Sequence, residues 1–146
     1  MSKPIETRIE IAAPPSAVWT ELADHAAYAV WNPFITRISG DLAVGERLAV
    51  IVQPQGKAAM EFAPEILIAD ADEELRWVGQ LGMKGVFDGE HYFVLEETAR
   101  GTTVFHHGER FSGLLTYLLF PLIGESTENG FHAMNLALKT RVEARS

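Results

Sequence analysis

The period of the apolar residues changes at Gly113, and this constrains the fold more than any other feature of the chain. From residue 35 to about 112, apolar and polar residues alternate in short runs, the period of two expected of strands buried on one face. The runs are 35–39, 47–53, 57–69, 74–81, 85–97 and 102–112. Between them stand Gly40-Asp41, Gly45-Glu46, Pro54-Gln55-Gly56 and glycines at 82, 85 and 101, which are turn residues. Gaps this short favour antiparallel neighbours. After Gly113 the period becomes 3.6. A short helical piece is expected over 114–120, broken at Pro121, then a long helix over 125–144. Phe131, Met134, Leu138 and Val142 form its apolar stripe, with Glu128, Asn135, Lys139 and Glu143 on other faces. Gly130, costly inside a helix, marks a kink or a close approach.

The region before residue 35 completes the pattern. Ile5, Ile9 and Ile11 alternate with polar residues in a first strand over 5–11, which Pro14-Pro15 ends. Ser16 is placed to cap a short helix carrying Val18, Trp19 and Leu22. A second short helical piece leads to Asn32-Pro33, a turn signal because the residue before proline is pushed out of the helical region. The expected fold is α+β: a curved antiparallel sheet of about seven strands wrapped around a long C-terminal helix, with two short helices after the first strand. No repeat or linker interrupts it, so 1–146 reads as one domain.

Composition narrows the function. Twelve basic against twenty acidic residues give a net charge of −8, and the cations form no stripe, which argues against nucleic acid as a partner. With no cysteine there is no disulfide, thiolate metal site or cysteine nucleophile. The first residues contain no apolar signal segment, and the longest apolar stretch, 114–123, is too short to span a bilayer. The expected location is therefore cytoplasmic, without stable membrane insertion. No dinucleotide fingerprint, phosphate loop, Gly-x-Ser-x-Gly elbow or His-Glu-x-x-His is present, and no cofactor is expected. Oligomeric state is not encoded in any pattern of the chain.

Strand parity singles out one cluster. Met60 and Phe62, then Leu75, Trp77 and Gly79, then His91, Phe93 and Leu95, then Phe105, His107, Glu109 and Phe111 each share a face. The odd-numbered sets hold most of the bulky residues and are assigned to the concave, helix-facing side, and Met60 and Phe62 go with them. For Phe93 and Phe105 to face the same way, the last hairpin needs an odd-length loop, consistent with three residues including Gly101. His91 then lies opposite either His107 or Glu109, with opposed Cβ atoms about 5 Å apart. Three readings of this ionisable cluster stand. It is a self-satisfied structural network, or the polar anchor of a ligand in an apolar pocket, with acid–base catalysis as one form of anchor, or a two-histidine, one-carboxylate metal site, which is the weakest because nothing supplies its outer partners. The ligand-lining candidates are Trp31, Phe34, Met60, Phe62, Trp77, Phe87, His91, Phe93, Phe105, His107, Glu109, Phe111, Phe120, Phe131 and Met134. His107, Glu109 and His91 are the candidates for moving protons; no metal ligand is assigned. Residues 114–123 read either as a mobile lip at the cavity mouth or as a buried helix start.

Four segments carry a family resemblance: Ile9-Glu10-Ile11-Ala12-Ala13-Pro14-Pro15-Ser16-Ala17-Val18-Trp19; Trp31-Asn32-Pro33-Phe34; Gly89-Glu90-His91-Tyr92-Phe93 with Gly101-Thr102-Thr103 and His107-Gly108-Glu109-Arg110-Phe111; and Phe131 through Lys139. Together they resemble the START-like, or helix-grip, superfamily, in particular its polyketide cyclase/dehydrase and lipid-transport branch. The resemblance implies a cavity for a hydrophobic small molecule. It leaves three roles open: a carrier of a lipid- or polyketide-like molecule, a cofactor-free cyclase or dehydratase, and a protein-interaction module of the chaperone-activator kind.

Overall fold

In β1 (Ser2–Ile11), Ile5, Thr7 and Ile11 turn to the interior while Glu6, Arg8 and Glu10 meet solvent. The computed structural model describes residues 2–146. Pro15 opens α1 (Pro15–Ala23), where its missing N–H is no loss. A 3-10 turn over His25–Ala27 and α2 (Tyr28–Trp31) follow. Asn32 then redirects the chain: its Oδ1 accepts hydrogen bonds from the N–H groups of Phe34 and Ile35, each 2.9 Å.

The strands fall into two antiparallel groups. β2 (Ile35–Ser39), β3 (Ala49–Val52) and β4 (Met60–Phe62) lie in the order β2-β3-β4. β5 (Glu65–Asp70), β6 (Glu74–Gln80), β7 (Asp88–Glu97) and β8 (Thr103–Ser112) join β1 in the order β1-β8-β7-β6-β5. The strand expected over 57–69 is therefore two. Pro64 has no N–H for a ladder, and the chain turns a corner at Ala63-Pro64. The groups remain joined at this corner, where Leu48 N–H donates to the Pro64 carbonyl and Ile66 N–H to that of Glu46, both 2.9 Å.

The C-terminal helix differs from expectation at its start. α3 (Thr116–Arg145) is one helix of 30 residues, about 45 Å long, and passes through Pro121 without a break. Pro121 lies in the second turn, so it forfeits one hydrogen bond, to the carbonyl of Tyr117. Tyr117 is exposed, where water can serve that carbonyl. Farther along, Phe131, Met134, Leu138 and Val142 are buried as the 3.6 period requires. Each such side chain contributes about 1.5–3 kcal/mol by leaving water. Asn135, expected on another face, is buried in the same seam. Gly130 is a close approach: a Cβ there would collide with the Phe34 ring. The Glu21 carboxylate of α1 accepts from Arg141 Nε at 2.7 Å and Arg145 Nε at 3.0 Å, tying α1 to the last turns of α3. Among the described residues, no helix is long and apolar enough to cross a membrane.

Candidate functional site

The β7–β8 hairpin sets the site. Its ladder pairs His91 with Glu109, Phe93 with His107 and Leu95 with Phe105, one of the two registers that parity allows. Thr98 N–H closes onto the Thr102 carbonyl at 2.9 Å, leaving Ala99, Arg100 and Gly101 as the turn. Gly101 has φ +79°, the left-handed conformation such a turn needs. On the next strand, Gly89 has no Cβ, and any Cβ there would collide with Glu109 Oε2. That glycine makes room for the carboxylate.

Four polar side chains, those of Thr7, Asn135, His107 and His91, link into one chain of hydrogen bonds, and its direction can be read from one end. Thr7 Oγ1 donates to the His107 carbonyl at 2.7 Å, so it must accept from Asn135 Nδ2, 2.9 Å away. That fixes the Asn135 amide and turns its Oδ1 toward His107 Nδ1 at 2.8 Å. His107 therefore carries its proton on Nδ1. Complete burial, then the neighbouring His91, hold the His107 pKa well below the ordinary histidine value. The ring is accordingly neutral and its Nε2 is an acceptor. The bond at 2.9 Å between the two Nε2 atoms must then be donated by His91. His91 Nδ1 is left facing Glu109 Oε1 at 3.4 Å. Glu109 thus lies beside the end of the chain, within ion-pair distance of the His91 ring. The rings are clamped: Phe131 stacks on His107 with centroids 4.0 Å apart, and Trp77 stacks on His91 at 5.1 Å and 20°. Among the described residues no group of histidines and carboxylates is arranged to hold a metal ion. The facing Nε2 atoms already use their shared lone pair and proton on each other.

Glu109 and His91 open onto a cavity of about 150 Å³. Phe34, Val50, Val52, Met60 and Phe62 form one wall, from the β2–β4 side. Trp77, Gly79, Phe87 and Phe111 form the opposite one, and Leu119, Leu122 and Ile123 of α3 close the third side. Gln80 and Thr127 are the other polar lining residues. Of the lining, Leu81 and Leu122 are exposed, as are their chain neighbours Met83, Leu114 and Leu118.

The sequence candidates thus divide into three sets. Phe34, Met60, Phe62, Trp77, Phe87, His91, Glu109 and Phe111 meet at the cavity. Phe93, Phe105, His107, Phe131 and Met134 are buried outside its lining, with His107 one hydrogen bond away through His91. Phe120 packs edge-on against Phe111 at 5.5 Å and is not in the lining. Trp31 lies apart, in a shallow groove with Ala133, Leu136 and Ala137 on another side of α3. It ends α2 immediately before the Asn32 turn and shares no wall with the cavity. Residues 114–123 satisfy neither reading alone. Leu114, Leu118 and Leu122 are exposed, while Thr116 is buried and Leu119, Phe120 and Ile123 pack against the core. Thr7 and Asn135 were the residues that sequence reasoning missed. Each sits in phase with apolar neighbours, Thr7 with Ile5 and Ile11, Asn135 four residues after Phe131, and that phase was the available signal.

Comparison with known proteins agrees with this architecture. Residues 4–143 match the model of the polyketide cyclase/dehydrase and lipid transport family. The chain belongs to this family. Among curated proteins no sequence matches it. Similar solved structures include the Zhui aromatase/cyclase of Streptomyces sp. R1128, at 16% identity and a TM-score of 0.80 over 99% of this chain and 96% of that one. A START superfamily protein from Mycobacterium smegmatis has 20% identity and a TM-score of 0.75 over 98% and 99%. A norcoclaurine synthase from Thalictrum flavum has 20% identity and a TM-score of 0.73 over 100% and 98%. At these identities the polyketide cyclase-like chain shares their fold, and its own residues must carry any argument about chemistry.

Proposed function

We propose that this polyketide cyclase-like protein binds a hydrophobic small molecule in the cavity and anchors the ligand's polar end at Glu109 and His91. One observation carries the reading: a cavity walled by aromatic and aliphatic side chains has its ionisable groups gathered at one place, held by a hydrogen-bonded chain that reaches β1 and α3. Filling the space tests it. Gly79 faces the cavity, and a Cβ there would meet only Pro64, at 3.8 Å. Gly79→Val suits a strand and occupies the void. The variant should keep its unfolding midpoint and lose the co-purifying hydrophobic compounds, or the thermal shifts with lipids and aromatic ketones, that the parent shows. A folded Gly79→Val protein that binds as the parent does would sink the reading.

The same chain of hydrogen bonds supports a second reading, a cofactor-free cyclase or dehydratase. A carboxylate beside an oriented imidazole can take a proton from an activated methylene and return it to a departing hydroxyl. Glu109→Gln should then abolish turnover and leave most apolar binding intact. Turnover that survives this change would remove Glu109 from the chemistry.

A further inference from the structure

We propose that the cavity selects its ligand by charge: it takes an uncharged molecule of about one ring, bearing a hydroxyl or carbonyl, and rejects the matching carboxylate. The inference rests on the binding reading above and names the class of molecule bound. Size comes from the volume, since an apolar space of about 150 Å³ accommodates a benzene-sized guest.

Charge selection comes from the wall. No lysine or arginine is among the lining residues. The one cation this wall can form is an imidazolium at His91. That ring's Nδ1 lies 3.4 Å from Glu109 Oε1, so its charge would face a carboxyl group of the same wall. Its other N–H is committed to His107, whose remaining nitrogen is committed to Asn135. The wall therefore sets a carboxyl group of its own beside its one imidazole and has no positive charge to spare. A ligand anion would lose its water among Phe, Met and Trp side chains and find no counter-charge, a penalty far larger than that of a neutral polar group. A ligand hydroxyl can donate to Glu109 when it is ionised, and a carbonyl can accept from it when it is protonated. Glu109 can thus meet either neutral function.

Acetophenone and benzoate make the test, being nearly the same shape and differing in charge. Both are titrated into the nitrogen-15-labelled full chain at neutral pH and followed by backbone amide shifts. The expected result is acetophenone tighter by about tenfold or more, with shifts on β6, β7 and the first turns of α3. In Glu109→Gln, benzoate should gain on acetophenone, because the fixed carboxylate has gone. Benzoate binding as tightly as acetophenone in the parent protein would overturn charge selection and leave the binding reading standing. A preference unchanged by Glu109→Gln would overturn the role given to Glu109. No shift with either compound at millimolar concentration would overturn the binding reading itself. The comparison in the parent protein needs no variant to fold.

Discussion

The two ends of α3 are built from similar residues and have opposite fates. Toward the C-terminus, Phe131, Met134, Leu138 and Val142 are sealed against the sheet and α1. Polar bonds fasten that end: Glu143 accepts from Ala12 N–H at 2.8 Å, Lys139 donates to the Glu10 carbonyl at 2.9 Å, and Glu21 holds Arg141 and Arg145. Toward the N-terminus, Leu118 and Leu122 stand in solvent, Leu119 and Ile123 border a void, and no side chain caps the first turn. An apolar residue with partners on every side stabilises the fold. The same residue with partners on one side makes a place for something else. The first is where stability resides, and the second is where a ligand can enter without unfolding anything.

The contrast can be broken at its closed end. Leu138→Ala should cost about 2–5 kcal/mol, read as a lower urea midpoint with an unchanged slope. A cost below about 1 kcal/mol would mean that this end is as loosely filled as the other.

Acid probes the boundary between the two ends, where His107 sits. Its folded pKa is depressed, so below the unfolded value of about 6.5 the unfolded chain binds the extra proton. Stability conferred by the neutral ring is thus complete above about pH 6.5 and lost as the pH falls toward the folded value, at up to about 1.4 kcal/mol per pH unit. His25, also depressed by burial, adds in the same direction. Urea melts at stepped pH should show a steeper acid loss in the parent than in His107→Gln, and parallel losses would remove the buried neutral imidazole from the account.

At the open end the effect on stability is smallest. Leu122→Ser should leave stability within about 0.5 kcal/mol, since the side chain is already exposed, yet it should weaken binding of an apolar ligand. A large loss of stability would show the rim to be part of the core.

Much of this arrangement was legible in the chain. The stripe from Phe131 to Val142 follows from a period that only a helix satisfies, and parity alone placed His91 beside Glu109 or His107. What escaped depended on distant contacts. The corner at Pro64 needed the neighbouring ladder to reveal where an N–H was missing. Pro121 is tolerated early in a helix where the residue whose carbonyl it leaves unpaired, Tyr117, is exposed, and exposure is not written in sequence. Thr7 and Asn135 lie 128 residues apart and hydrogen-bond to each other. From the sequence Asn135 is assigned to another face of the helix, and Thr7 is one polar residue of an alternating strand. Their purpose is visible only once β1, β8 and α3 are packed, when each satisfies the other and both determine which nitrogen of His107 is protonated.

The indole laid flat on His91 has an optical consequence. Excited tryptophan loses its energy readily to a protonated imidazole in contact and far less to a neutral one. Trp77 is therefore placed to report on the charge of the ring stacked against it. A guest that changes that charge would dim or brighten the protein's own fluorescence, and occupancy of the cavity could then be watched in unlabelled protein, in real time, with ultraviolet light.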